Sequence, residues 1–162
     1  MNKYILLILF TIITISSCTS QFEELAPCEL ITTETVISIV GVNVSDISQP
    51  TLTIDGKYCT MYFEDNDGDD YVLDISLKQS EDVSDPILSI NTHFPGNFPQ
   101  SEAIPNLGDK ATFFLTADKV QAIVVNKSYY TYGILFSLGQ LTDIEKRDII
   151  IEICESINAQ LK

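Results

Sequence analysis

The residues best suited to chemistry stand together at positions 63–72, "FEDNDGDDYV", where five acidic side chains surround one Asn and one Gly. Clustered carboxylates of this kind are what a calcium ion takes, since it accepts about 6 to 8 oxygen ligands in flexible geometry. An EF-hand needs an oxygen at loop position 1, Gly at position 6 and a carboxylate at position 12. With Gly68 at position 6, Asp65, Asp67 and Asp74 fill positions 3, 5 and 12, but position 1 falls on Phe63. The EF-hand pattern therefore fails at its first ligand. A less regular calcium site from Asp65, Asp67, Asp69 and Asp70 is one alternative, and a contact surface for a basic partner is another. Asn, Asp and Gly are also what a hairpin loop between two strands uses, and that turn is the simpler reading. No other cofactor is implied.

Groups for nucleophilic catalysis are sparse. The chain has a single histidine, His93, so any Ser-His or Cys-His pair depends on it, and it sits in the loop "HFPGNFPQ". No G-x-S-x-G, H-E-x-x-H or phosphate-binding Gly loop occurs. Acids are plentiful enough for a carboxylate-dependent hydrolase, yet nothing singles out two of them. In the same loop Phe94 and Phe98 are candidate aromatic anchors for a partner, or else side chains tucked under a sheet edge.

The elements that must position these groups begin after a targeting segment. Lys3 precedes "YILLILFTIITI" and then "SSC", which reads as a signal peptide over residues 1–17, too short for the ~20 residues of a membrane-crossing helix. Ile15, Ser16, Ser17 and Cys18 resemble the lipobox of bacterial lipoproteins, which implies acylation of Cys18, attachment to a membrane through that lipid, and a cell-envelope location outside the cytoplasm. Without residues 1–17 the chain carries 8 basic and 23 acidic side chains, a net charge of −15. That excess excludes nucleic acid as a partner and favours cations or a basic or envelope protein.

Residues 18–27 read as a tether and residues 28–162 as one domain. Apart from Cys18 the cysteines are Cys28, Cys59 and Cys154, an odd number that leaves one unpaired. Cys28 is paired with Cys59, while Cys154 lies on the apolar face of a helix as a small buried hydrophobe.

Thr32 as N-cap, with Ile31 stapling Val36 and Gly41 past the end, predicts a helix over 33–40. Irregular chain follows over 42–56, with at most one short strand. Cys59, Met61 and Phe63, then Tyr71, Leu73, Ile75 and Leu77, alternate as two strands of a hairpin. Asp85 and Pro86 open a short helix, and residues 93–100 form a loop. Ala111, Phe113 and Leu115 share a face of the next strand. Residues 120–125 and the stripe Tyr130, Tyr132, Ile134, Phe136, Leu138 complete a meander. Thr142 and Glu145 form a capping box for a terminal helix that buries Ile150, Cys154, Ile157 and Leu161. The class is α+β: an antiparallel sheet of about five strands, with the short N-terminal and long C-terminal helices packed on one face and the other face wet.

The segments "PCELIT" (27–32), "YCTMYF" (58–63) and "NLGDKATFF" (106–114), followed by an amphipathic terminal helix, resemble small bacterial lipoproteins of unknown function of the LpqN-like type. That resemblance implies a Cys28–Cys59 disulfide and a sandwich of the PsbP/Mog1 type, and it lends no activity. The functional expectation is a lipid-anchored, non-catalytic binding or interaction module. An accessory subunit of an envelope complex and a carboxylate-dependent hydrolase are the alternatives.

Overall fold

A computed structural model describes residues 25–40, 44–54, 56–65, 67–79, 86–94, 96–116, 120–139 and 141–161. Cys18 and Gly41 lie outside them, as do the signal segment and Asp85. Within the expected tether Leu25 packs on the core, and Pro27 is buried at the start of a 3-10 turn, Pro27–Glu29. Helix α1 (Thr33–Val40) follows, and the Thr32 hydroxyl accepts from the Thr35 N–H at 3.3 Å, as its N-cap position requires.

The strands are β1 (Val44–Ile47), β2 (Thr51–Leu52), β3 (Tyr58–Asp65), β4 (Asp70–Gln79), β5 (Gln100–Ala103), β6 (Lys110–Leu115), β7 (Gln121–Lys127) and β8 (Tyr130–Leu138). Helix α2 (Pro86–His93) lies between β4 and β5, and α3 (Asp143–Gln160) ends the chain. Every pairing is antiparallel, in the order β1-β3-β4-β8-β7-β6-β5, with β2 added on β3. Among the described residues the sheet thus has seven strands side by side and the short β2, rather than about five. The additional strands β1, β2 and β5 are short edge pieces, and β5 "QSEA" is exposed at all four positions, so no apolar alternation marks it.

The β3–β4 hairpin pairs Cys59 with Ile75, Met61 with Leu73 and Phe63 with Tyr71, which keeps the apolar parity of both strands on one face. That inner face continues through Ile123, Val125, Tyr132, Ile134 and Phe136 and packs against Ile150, Ile153, Cys154 and Ile157 of α3 and Val36 of α1. Phe63 and Tyr71 stack with ring centres 5.0 Å apart. Tyr132 donates from its hydroxyl to Asn158 Oδ1 at 2.9 Å and so ties β8 to α3.

The second face is wet only in part: Tyr62 and Glu64 of β3 and Lys78 of β4 are exposed, while α2 covers the β6–β8 side. Ile90 and Phe94 of the α2 segment pack on Phe114, Ala122 and Val124, with Tyr58, Phe98 and Leu135 at the margin. Strand β7 is consequently buried on both sides through Asn126, a pattern of continuous apolar residues that "AIVV" shows in the sequence. The 93–100 loop also shifts: His93 belongs to α2 and Gln100 to β5.

Candidate functional site

The acidic stretch folds as the turn between β3 and β4. Gly68 has φ +82°, the left-handed conformation that tight turns reserve for Gly, and Glu64 pairs with Asp70 on the last rung. Asp67 and Asp70 are exposed and Asp69 is half-buried, while the Asp65 side chain lies outside the described residues. Among the described residues no group of three or more His, Cys, Asp or Glu side chains is placed to hold a metal ion. Asp74 does not turn toward the loop. It accepts a 2.5 Å hydrogen bond from the Thr60 hydroxyl across the strands, and burial raises its pKa against the lowering effect of that bond.

Phe94 is no surface anchor, because it is 3% exposed beneath α2 and stacks on Tyr58 at 5.8 Å. Phe98 is half-buried, edge-on to Phe114 at 5.9 Å. Both rings close the second core, since an aromatic side chain gains most by leaving water altogether. Cys28 and Cys59 form a disulfide that ties the 3-10 turn to β3, and Cys154 is a buried free thiol whose pKa burial raises.

His93 meets a partner that sequence reading did not supply. Its Nδ1 lies 2.6 Å from Ser76 Oγ on β4, with both side chains buried. Burial, followed by the charge of Lys78, lowers the His93 pKa to about 4, so the ring is neutral at pH 7. The hydroxyl and imidazole sit under α2 beside Gly133, where any Cβ would come within 3.0 Å of both residues. This pair clips the helix to the sheet.

A different site forms where α3 starts. A helix is about 10 Å wide and strands lie about 4.8 Å apart, so one helix roofs about two strands. Helix α3 lies over β7 and β8, and the inner face of β5 and β6 extends beyond it. The result is a groove of about 310 Å³. Phe113 and Leu115 provide apolar lining, and Ile144, 72% exposed, lines it from the first turn of α3. Arg147 reaches over from α3 to Glu102 on β5, with two N–H···O contacts of 3.0 Å, and its guanidinium lies 5.2 Å from the Phe113 ring centre. Such a partly exposed pair contributes at most about 1 kcal/mol, so it orients the guanidinium more than it stabilises the fold.

Gln121 is the unusual member. It is 1% exposed, and its Nε2 donates to the Asp143 carbonyl at 2.7 Å, which fixes the amide. Among the described residues nothing donates a hydrogen bond to its Oε1. A buried acceptor left this way costs about 1–3 kcal/mol, which a ligand N–H or O–H recovers. Gln121 shares inward parity with Ile123 and Val125, so a polar residue at an inward strand position was the available signal. Glu102 and Arg147, 45 residues apart, had none.

Comparison of the chain with protein-family models, with curated proteins and with solved structures finds no match. Among the described residues no helix is long and apolar enough to cross a membrane.

Proposed function

We propose that this chain is a lipid-anchored cell-envelope protein, held through Cys18, that acts as a non-catalytic binding module and seats its ligand in the groove between β5, β6 and the start of α3. The observation that carries the reading is the buried Gln121 carbonyl oxygen, without a donor among the described residues, in a groove with apolar lining and an oriented guanidinium. A few convergent polar groups in a largely apolar concavity are what a binding site needs. The "ISSC" segment supports the anchor, and the net charge of −14 supports a cationic or basic partner.

The test joins location to contact. Full-length protein is expected in the membrane fraction and the Cys18→Ala variant in the soluble extracytoplasmic fraction. A photo-cross-linker placed at Ile144 is expected to yield a discrete adduct that one at the distant, exposed Tyr129 does not. An unprocessed chain in the cytoplasm, or identical patterns from the two positions, overturns the reading.

A further inference from the structure

Sheet edges offer unpaired N–H and C=O groups to any extended chain, and folded proteins guard them with bulges, Pro or Lys. Among the described residues the two edges of this sheet differ in that respect. On the β3 side the outer chain is broken between β1 and β2 by Ser48–Pro50, and its register slips between Val44 and Asp46. Strand β5 on the other side has no bulge in its register with β6, no Pro and no Lys, and all four residues are exposed. Pro99 and Pro105 stand on either side of it.

The orientation of the β5 backbone follows from one bond. Ile104 N–H donates to the Ala111 carbonyl at 3.0 Å, so alternation along an antiparallel ladder turns Gln100 and Glu102 toward β6 and directs the N–H and C=O of Ser101 and Ala103 outward. A strand added there continues the sheet. Its side chains on the inner face fall beside Glu102, Arg147 and Ile144, that is, along the groove.

We infer that the partner is an extended basic peptide segment of another protein, which pairs with the β5 backbone at Ser101 and Ala103 and sends a Lys or Arg side chain over the groove to Glu102 and the Gln121 carbonyl. The inference rests on the binding-module reading above. Charge argues for a basic segment and against a second copy of this chain: the protein is net −14, and β5 pairing with itself would bring two Glu102 carboxylates onto one short ladder. Backbone pairing supplies affinity in such augmentation, and alternate side chains supply choice.

The probes are acetyl-Val-Lys-Val-Lys-Val-amide, the same peptide with Glu in place of Lys, and a Lys peptide methylated on alternate backbone nitrogens. Each is titrated against the full acylated chain in neutral detergent micelles, with backbone amide NMR as the readout. The Lys peptide is expected to shift the amides of Ser101 and Ala103 and the Gln121 side-chain amide, with the Glu and N-methylated peptides binding at least tenfold more weakly. Ser101→Pro and Ala103→Pro each remove an outward N–H only, so each is expected to weaken Lys-peptide binding at least tenfold with the melting temperature held. Should a Pro variant unfold, the N-methylated peptide decides alone. Equal binding of the Lys and Glu peptides, shifts confined elsewhere, or a concentration-dependent dimer that perturbs Ser101 and Ala103 without peptide overturns the inference. If the Ile144 cross-link persists in that event, the groove reading stands and only the basic-strand partner falls; if both fail, both fall.

Discussion

At the scale of single residues, His93 is the most informative side chain in the protein. Its pKa is lowered to about 4 in the folded state against 6.5 in an unfolded chain, chiefly by burial. The unfolded chain therefore binds the extra proton first, and stability is full above pH 6.5 and falls as pH drops toward 4. The loss is about 3 kcal/mol from this group. Thermal unfolding across pH 4–7 is expected to show that slope, and His93→Asn, which keeps a hydrogen-bonding group for Ser76, is expected to flatten it. An unchanged slope in the variant would place the proton elsewhere. Glu34 and Glu145, whose pKa values are lowered by hydrogen bonds at helix starts, have the same sign of dependence at lower pH. Of these residues, Glu145 was legible in sequence because a capping box is local. The Ser76–His93 contact was not, because it joins positions 17 residues apart on elements whose packing no local pattern records.

At the scale of elements, legibility followed apolar alternation. The β3–β4 hairpin, the β6–β8 meander and both outer helices were readable because each buries a periodic stripe. The edge strands were not: all four residues of β5 are exposed and show no apolar stripe, and β1 and β2, at four and two residues, are too short for alternation to mark them. The role of α2 was also hidden: "PILSINTH" is short, and its docking on β6–β8 depends on Phe94 and on the absence of a side chain at Gly133. Gly133→Ala places a Cβ 2.7 Å from the Phe94 ring and is expected to cost about 1–3 kcal/mol in denaturant unfolding. Thr142→Ala removes the N-cap of α3, where Thr142 accepts from Glu145 N–H at 3.2 Å, and is expected to cost about 1 kcal/mol. The groove depends on that first turn, since Asp143, Ile144 and Arg147 all project from it or just beyond. A Thr142→Ala chain that keeps its stability but loses the Ile144 cross-link would show the cap acting through the site.

At the scale of the whole molecule, the disulfide and the sheet order decide how the parts cohere. Cys28–Cys59 closes a span of 31 residues, and removing it as Cys28→Ala with Cys59→Ala is expected to cost about 4 kcal/mol in the chain-entropy account. An unfolding midpoint unaffected by the double change would show that the packing of Leu30 and Ile31 alone secures the N-terminal turn. The sheet order carries a different consequence. Strands β3 and β4 form one hairpin and β5 to β8 form one run of hairpins, whereas β4 and β8 join chain segments far apart, with Gln79 beside Tyr130 and Tyr71 beside Leu138. Local hairpins close on microsecond times, but a distant pairing must first meet the entropy of a long loop. One hairpin and one meander thus meet along a single long-range seam, and the folding rate is expected to follow the step at which β4 finds β8.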